Sequence, residues 1–154
     1  MNYSIRKGVP ADTSQILALL PRLADFEVPE HRLAEDLWNG DKAMIELWSK
    51  GGRPDVDVAV ATIDNRIVGI AIISAKAEML SGLPSAHLET VAVAADAEGN
   101  GIGTALMHET EKMAMERGAN CISLHVFSAN TRARALYERH GYTGELMRYY
   151  KPIT

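Results

Sequence analysis

Three glycines stand at alternate positions in the stretch EGNGIGTALM, which occupies residues 98–107. Gly99, Gly101 and Gly103 each cost backbone entropy, about 1 kcal/mol relative to alanine inside a helix, yet the residues after them favour a helix. A glycine-rich turn that opens a helix presents unpaired backbone N–H groups, and the helix dipole adds roughly half a positive charge there. Because glycine has no Cβ, an anion can approach this backbone closely. The segment therefore predicts a cradle for a phosphate group.

Two familiar nucleotide-binding motifs fit the segment poorly. The P-loop needs a lysine before its serine or threonine, whereas Gly103 precedes Thr104. The dinucleotide fingerprint G-x-G-x-x-G matches Gly99 and Gly101 but requires a third glycine where Thr104 stands. A plain helix start with incidental glycines is the alternative that involves no ligand.

The composition is that of one globular domain spanning residues 1–154. The chain is 47% hydrophobic and 23% charged, and its net charge of −4 disfavours a nucleic-acid partner. A single cysteine, Cys121, excludes an internal disulfide and a cysteine-rich metal site, so no metal is expected. No apolar run is long enough for a membrane helix, and the first residues do not resemble a signal peptide. We expect a cytoplasmic protein without a membrane partner; association into a homodimer stays open.

Hydrophobic periodicity predicts a mixed α/β domain, with strand-like segments before, between and after helical ones. The first half of the chain is predicted to form a strand at 3–8, a helix from residue 12 or 13 that Pro21 kinks, helical pieces near 32–38 and 42–50, and a hairpin of strands 56–63 and 66–78 that turns at Asp64 and Asn65. The second half is predicted to form a strand at 86–94, a helix from about 101 to 117, a strand at 120–127, a helix at 130–141 capped by Asn130, and a strand at 142–153.

Two motifs in this pattern resemble those of the Gcn5-related N-acetyltransferases. The family's pyrophosphate loop, Q/R-x-x-G-x-G/A after a strand and opening a helix, corresponds to residues 98–103. The resemblance covers essentially the whole chain and implies the family's α/β fold, a mixed, mostly antiparallel central sheet with splayed middle strands and helices on both faces. The second motif, N-x-x-A-x-x-L-Y-x-x-x-G-F/Y, is matched by Asn130, Ala133, Leu136, Tyr137, Gly141 and Tyr142.

The resemblance implies that acetyl-CoA is the cosubstrate and that its pantetheine arm wedges between the splayed strands. The backbone of Val91, Ala92 and Val93 would pair with this arm like an added strand, and one N–H would face the thioester carbonyl. Asn130 would hydrogen-bond the arm, and Ala133 would leave room for it. The diphosphate would be held by backbone N–H groups of the glycine loop, which comprises Gly99, Asn100, Gly101, Ile102, Gly103 and Thr104.

The implied reaction is the direct attack of an amine on a thioester, which is an N-acetyl transfer. An alkyl ammonium must first lose a proton, and the departing thiolate gains from a proton donor. Tyr137 occupies the family's general-acid position, with a core tyrosine as the alternative. For the base, Glu89 is the first choice and His87 the second. Strand residues two apart share a face, so both are expected in one cleft; a solvent-facing pair is the alternative.

Glu98 departs from the family pattern, which has glutamine or arginine there. We expect its side chain to point away from the diphosphate, with some loss of affinity, while Arg132 and Arg134 are candidates to supply positive charge. The acceptor stays open among small amines, polyamines and protein amino groups. The rival function is a catalytically inactive acyl-CoA-binding sensor or interaction module of the same fold. An acidic segment that would attract a cationic acceptor, or simply form a solvated face, contains Asp25, Glu27, Glu30, Glu35, Asp36 and Asp41.

Overall fold

The computed structural model describes residues 2–153, and within them the chain forms five strands and four α-helices. The 3₁₀ turns lie at Pro10–Asp12, Leu20–Ala24, Ala34–Leu37 and Ala95–Ala97. The strands are β1 (Ser4–Lys7), β2 (Val56–Ile63), β3 (Arg66–Ala77), β4 (Pro84–Val93) and β5 (Ile122–Leu124). The helices are α1 (Thr13–Leu19), α2 (Asn39–Ser49), α3 (Ile102–Glu116) and α4 (Thr131–Arg139).

The five strands form one sheet in the order β1-β2-β3-β4-β5. The pairs from β1 to β4 are antiparallel, whereas β5 lies parallel to β4 because α3 crosses between them. Asp64 and Asn65 turn the chain from β2 into β3 with φ of 48° and 66°, as a two-residue hairpin requires. The hairpin predicted at these two residues is therefore confirmed.

Strand β3 lies at the centre of the core. Residues 67–74 are all buried, without the alternation of a strand that faces water on one side. Helices α1 and α3 both pack against this strand. A run buried on both faces needs cover on both, so these helices enclose the sheet. The predicted mixed, mostly antiparallel α/β fold is thus confirmed.

Gly69 of β3 lets α3 approach the sheet closely. A Cβ at this position would lie 2.9 Å from Ile102 Cγ2 and 3.0 Å from Leu106 Cδ1, both on α3 and both fully buried. Such distances are shorter than carbon atoms tolerate, so a larger residue must push the helix outward. Because α3 begins at the glycine loop, a larger residue at position 69 that pushed the helix outward would also move that loop away from the sheet.

We expect Gly69→Val to destabilise the protein by about 2 kcal/mol through this overpacking. Thermal unfolding would then show Tm lowered by about 5 °C. Gly40→Ala is the matched control, because a Cβ there meets nothing within 4 Å and the residue lies in α2. Equal Tm values for the wild type and Gly69→Val would show that α3 is not held against β3 as described.

Three predicted elements differ from the structure. The first helix ends at Leu19 and continues as a 3₁₀ turn containing Pro21, which is the local effect of that proline. The strand predicted at 120–127 is confined to Ile122–Leu124. The strand predicted at 142–153 is wrong, because residues 142–153 form no strand.

The side chains of this last segment find other partners. The Tyr150 ring stacks on His31 with 4.4 Å between centroids, and the Arg32 guanidinium lies 4.4 Å from the centroid of the same ring. Leu146 and Met147 are 63% and 79% exposed. An alternating sequence indicates strand propensity but not whether a strand edge is within reach, and here aromatic contacts hold the segment instead.

Candidate active site

Strands β4 and β5 separate halfway along β4. Their parallel pairing covers residues 86–88, and β5 ends at Leu124. On its other side, β4 stays paired with β3 as far as Val93. From Glu89 onward, the β5-facing edge therefore has no strand beside it in the described part of the chain. Its backbone groups can pair with an extended ligand, as the predicted splay requires.

The glycine loop opens α3 with its backbone amides free. Gly101 caps the helix with φ of 78°, a left-handed conformation that favours glycine, and no side chain caps the helix start. The first intrahelical bond runs from the Ala105 N–H to the Gly101 carbonyl, so the amides of residues 102–104 have no helix partner. A Cβ added at Gly99 would meet nothing within 4 Å. Asn100 fastens the loop by donating from Nδ2 to the carbonyls of Ala97 and Glu98, which directly precede it. This arrangement fits a diphosphate.

A cavity of about 110 Å³ lies where β4 and β5 part. Apolar residues from the segment after α1 and from the segment after β5 form part of its wall. The predicted site residues that line it are Glu89, Val91, Asn130, Ala133 and Tyr137. The cavity therefore brings the proposed acid and the first-choice base to the end of the free strand edge.

Helix α4 and its N-cap contribute Asn130, Ala133 and Tyr137 to the wall of the cavity. Asn130 Oδ1 accepts a hydrogen bond from the Ala133 N–H at 3.2 Å, so Asn130 caps the helix as predicted. Tyr137 follows one turn after Ala133, and its ring packs edge-on against Tyr142 with 6.0 Å between centroids. Burial raises the pKa of Tyr137, so its phenol stays protonated at neutral pH and can donate a proton.

Glu89 occupies a β-bulge in β4. The residues before and after it pair with adjacent residues of β3, so Glu89 is the extra residue of the bulge. Its Oε1 accepts a hydrogen bond from the Ser74 hydroxyl at 2.7 Å and lies 3.8 Å from Lys76 Nζ. Two partners on β3 thus hold the carboxylate at the rim of the cavity.

His87 lies outside the cavity lining. Its Nδ1 is 2.8 Å from Ser123 Oγ on β5, and burial lowers its pKa against the opposing effect of the Glu89 charge. His87 and Glu89 lie on the same face of the sheet as expected, because Ser74, which hydrogen-bonds Glu89, is the β3 residue opposite His87, but only Glu89 lines the cavity. His125, whose ring centroid is 4.8 Å from that of His87, lines the cavity instead. A histidine just past a short strand carries no spacing signal, so sequence reasoning missed it.

Asp41 of α2 also lines the cavity, although the sequence placed it only in the acidic segment. Burial raises its pKa to about 6, and the nearby charge of Glu89 adds to the rise, while the Thr90 hydroxyl opposes it. The Thr90 hydroxyl is itself buried and forms no standard hydrogen bond within residues 2–153. A lone acidic residue in the first turn of a helix is a common feature, so nothing local marks Asp41 as a site residue.

A sequence profile agrees with this geometry. The profile of the Acetyltransferase (GNAT) family matches residues 20–142. The chain belongs to the GNAT family. The resemblance drawn from the two motifs is therefore confirmed. No curated protein sequence matches the chain significantly.

Solved GNAT structures share the fold at low sequence identity. A ribosomal-protein-alanine N-acetyltransferase from Brucella melitensis biovar Abortus 2308 is 20% identical with a TM-score of 0.72, over 99% of this chain and 100% of that one. An aminoglycoside 6′-N-acetyltransferase from Acinetobacter baumannii is 19% identical with a TM-score of 0.73, over 99% of both chains. AAC(6′)-Iy, in complex with a CoA-containing bisubstrate analogue, is 16% identical with a TM-score of 0.75, over 100% of both chains.

Glu98, at the position where GNAT proteins usually have glutamine or arginine, pairs with two arginines. One carboxylate oxygen contacts the guanidinium of Arg22, and the other lies 3.0 Å from Arg132 Nη2 on α4. Arg22 also donates from Nε to the Val93 carbonyl at 3.0 Å. Arg134 instead donates to a backbone carbonyl before α4. The negative charge of Glu98 is therefore compensated within the fold, which the sequence did not indicate.

Metal and membrane features are absent from the described residues. Within residues 2–153, no three His, Cys, Asp or Glu side chains are grouped so that they could hold a metal ion. None of the helices in that range combines the length and apolar character needed to cross a membrane.

Proposed function

We propose that this GNAT protein is an N-acetyltransferase that moves the acetyl group of acetyl-CoA to a primary amine by direct attack. One observation carries the proposal. A free strand edge and groups able to donate and accept protons meet at one cavity, and the same strand leads into a glycine loop whose amides are uncapped. Membership of an acetyltransferase family supports the same reaction.

Acetyl-CoA would supply the acetyl group as an activated thioester. The backbone of Val91, Ala92 and Val93 would bind the extended arm as an added strand. The free amides of the glycine loop would hold the diphosphate at the start of α3. Asn130 and Ala133 line the cavity, where they would contact the arm.

The proposed chemistry needs one proton donor and one proton acceptor. Glu89 would take one proton from the incoming ammonium, directly or through a water, and the neutral nitrogen would then attack the thioester carbon. As the carbon–sulfur bond breaks, Tyr137 would donate its hydroxyl proton to the sulfur, because a thiol departs more readily than a thiolate. The nitrogen would lose its second proton at this stage, which would restore the Tyr137 hydroxyl directly or through solvent and leave a neutral amide and CoA thiol. His87 is the second candidate for the step assigned to Glu89; it does not line the cavity, but its ring lies 4.8 Å from that of His125, which does.

Calorimetry with CoA and a thiol-release assay over a panel of primary amines test the proposal. We expect heat of binding with CoA and turnover with at least one amine. If folded protein gives no heat with CoA, the proposal fails. If CoA binds and no amine is acetylated, the inactive acyl-CoA sensor is the better description.

The arginine pair at Glu98 leads to a prediction about CoA affinity. Simple charge repulsion predicts that Glu98→Ala binds the CoA diphosphate more tightly. We expect the opposite, a Kd raised about threefold, because Arg22 and Arg132 lose the carboxylate that holds them beside the glycine loop. Calorimetry of CoA binding at low and moderate salt measures this change.

Asp96→Asn is the matched control for Glu98→Ala. It removes a carboxylate from the turn just before the glycine loop, but that carboxylate pairs with Arg66 on β3 and not with Arg22 or Arg132. We expect its Kd for CoA to match the wild type within about twofold. Tighter binding by Glu98→Ala would contradict the role assigned to the arginines.

A further inference from the structure

The cavity contains two carboxylates in different surroundings. Glu89 is held by the Ser74 hydroxyl and by Lys76, as described above. Asp41 has no ion pair within residues 2–153, and its polar neighbour, the Thr90 hydroxyl, does not form a standard hydrogen bond with it. Within the same range, no lysine or arginine lines the cavity. The charge of Glu89 is therefore balanced by a nearby lysine, whereas the charge of Asp41 has no counter-charge among the described residues.

Unmatched groups of this kind cost free energy in the folded protein. Thr90 is 2% exposed, so water does not satisfy its hydroxyl freely. Asp41 is partly buried, so its carboxylate loses part of the solvation that stabilises its charge. Both groups line the cavity, where a bound molecule can reach them. Asp41 could accept hydrogen bonds from such a molecule, and Thr90 could accept or donate one.

The reacting amine cannot be the lasting partner of Asp41. It must be neutral when its lone pair attacks the thioester, so at that moment it carries no positive charge. In the proposed function its proton has gone to Glu89. The charge of Asp41 stays matched through the reaction only if the acceptor carries a second cation.

We propose that Asp41 and Thr90 form a second polar subsite, which binds a cationic group of the acceptor other than the reacting amine, and that the acceptor is a short-chain diamine. This inference rests on the proposed function. Leu23, Phe26 and Leu37 give the cavity an apolar wall against which the methylene groups between two nitrogens can pack. Asp41 and Glu89 line the same small cavity, so the two nitrogens need only a short chain between them.

The first test compares 1,4-diaminobutane with 1-aminobutane as acceptors. We expect wild-type kcat/KM to favour the diamine about tenfold, the scale of one charge-assisted hydrogen bond in a partly buried site. In Asp41→Asn this ratio should fall to about one, because the second cation loses its counter-charge. Glu35→Gln is the matched control, since Glu35 belongs to the same acidic segment but does not line the cavity; its ratio should equal the wild-type ratio.

The second test needs no catalysis. Without acetyl-CoA, 1,4-diaminobutane should raise the Tm of the wild type more than 1-aminobutane does, and Asp41→Asn should lose this difference. Asp41→Asn alone should also have a Tm about 3 °C above the wild type at pH 8. In the wild type, the pKa of Asp41 is raised to about 6, so the ionised carboxylate destabilises the folded protein above pH 6. This loss of stability fades as the pH falls towards 4 and the carboxylate becomes protonated in the folded and unfolded states alike. At pH 5 the gain in Tm should be smaller.

The outcomes separate this inference from the proposed function. If no amine is acetylated but the diamine stabilises the protein through Asp41, the subsite stands and the proposed function fails. Equal kcat/KM for the diamine and the monoamine, or the same loss of preference in Glu35→Gln, would overturn the subsite. A Tm of Asp41→Asn below that of the wild type at pH 8 would also overturn it, because Asp41 would then be a structural residue.

Discussion

Tyr137→Phe should lower kcat for amine acetylation about 100-fold, the scale of one well-placed general acid. The substitution removes only the hydroxyl, so the ring still packs against Tyr142 and still lines the cavity. CoA binding should therefore stay within about twofold of the wild type by calorimetry. Because burial raises the pKa of Tyr137, the wild-type phenol remains a proton donor at pH 8, where more of the amine is neutral. Steady-state thiol release at saturating acetyl-CoA measures the loss.

Tyr142→Phe provides the control for Tyr137→Phe. The Tyr142 hydroxyl is buried without a hydrogen-bond partner among the described residues, and burial raises its pKa to about 12. It does not line the cavity. Removing it should leave kcat unchanged and should slightly raise the stability, since an unsatisfied buried hydroxyl is lost. If Tyr137→Phe behaved like this control, Tyr137 would be a core residue rather than the acid.

The features that the sequence predicted well are encoded by neighbouring residues. Asn130 caps α4 because its own side chain reaches the third amide after it. Gly101 opens α3 because the left-handed conformation there favours a residue without a Cβ. Asp64 and Asn65 tolerate the dihedral angles of a tight hairpin. Each depends on a few consecutive residues, so reading them required no knowledge of tertiary structure.

The features that the sequence did not predict depend on contacts between distant segments. Arg22 reaches Glu98 across the interval between the first helix and the glycine loop. Asp41 lines the cavity only because the fold brings the start of α2 near Thr90 and Glu89 of β4, and no local pattern distinguishes it from other acidic residues. The bulge at Glu89 is an insertion relative to β3, so it exists only in the paired sheet.

Two features of the candidate site lower the stability of the fold, in contrast to the well-packed core. The core packs β3 closely against two helices, with residues 67–74 fully enclosed. At the cavity the same sheet leaves β4 unpaired along one edge and leaves the Thr90 hydroxyl unsatisfied. Groups left without partners in an otherwise satisfied fold are typical of ligand sites, because the ligand completes them. The free edge of β4 and the Thr90 hydroxyl together mark the cavity as a candidate ligand site.

Glu89→Gln should lower kcat/KM for the acceptor about 100-fold, as expected for loss of a general base. The amide keeps the size of the side chain, and its oxygen can still accept the hydrogen bond from the Ser74 hydroxyl, so the bulge should be preserved. What is lost is the ability to take the ammonium proton. The measurement is kcat/KM for a responsive amine from pH 6 to pH 9, where the defect should shrink as more of the amine is already neutral.

Chemical rescue distinguishes a base from a residue that merely holds the bulge. Glu89→Ala opens space at the rim of the cavity, so formate should enter and restore part of the activity as a substitute carboxylate. Formate should not improve Tyr137→Phe, because that variant lacks a proton donor. If His87→Asn caused the 100-fold loss and Glu89→Gln did not, the base would be His87 acting from beside Ser123. Glu89 is the stronger candidate, since its carboxylate lines the cavity, whereas His87 is buried beside Ser123 of β5 and does not line it.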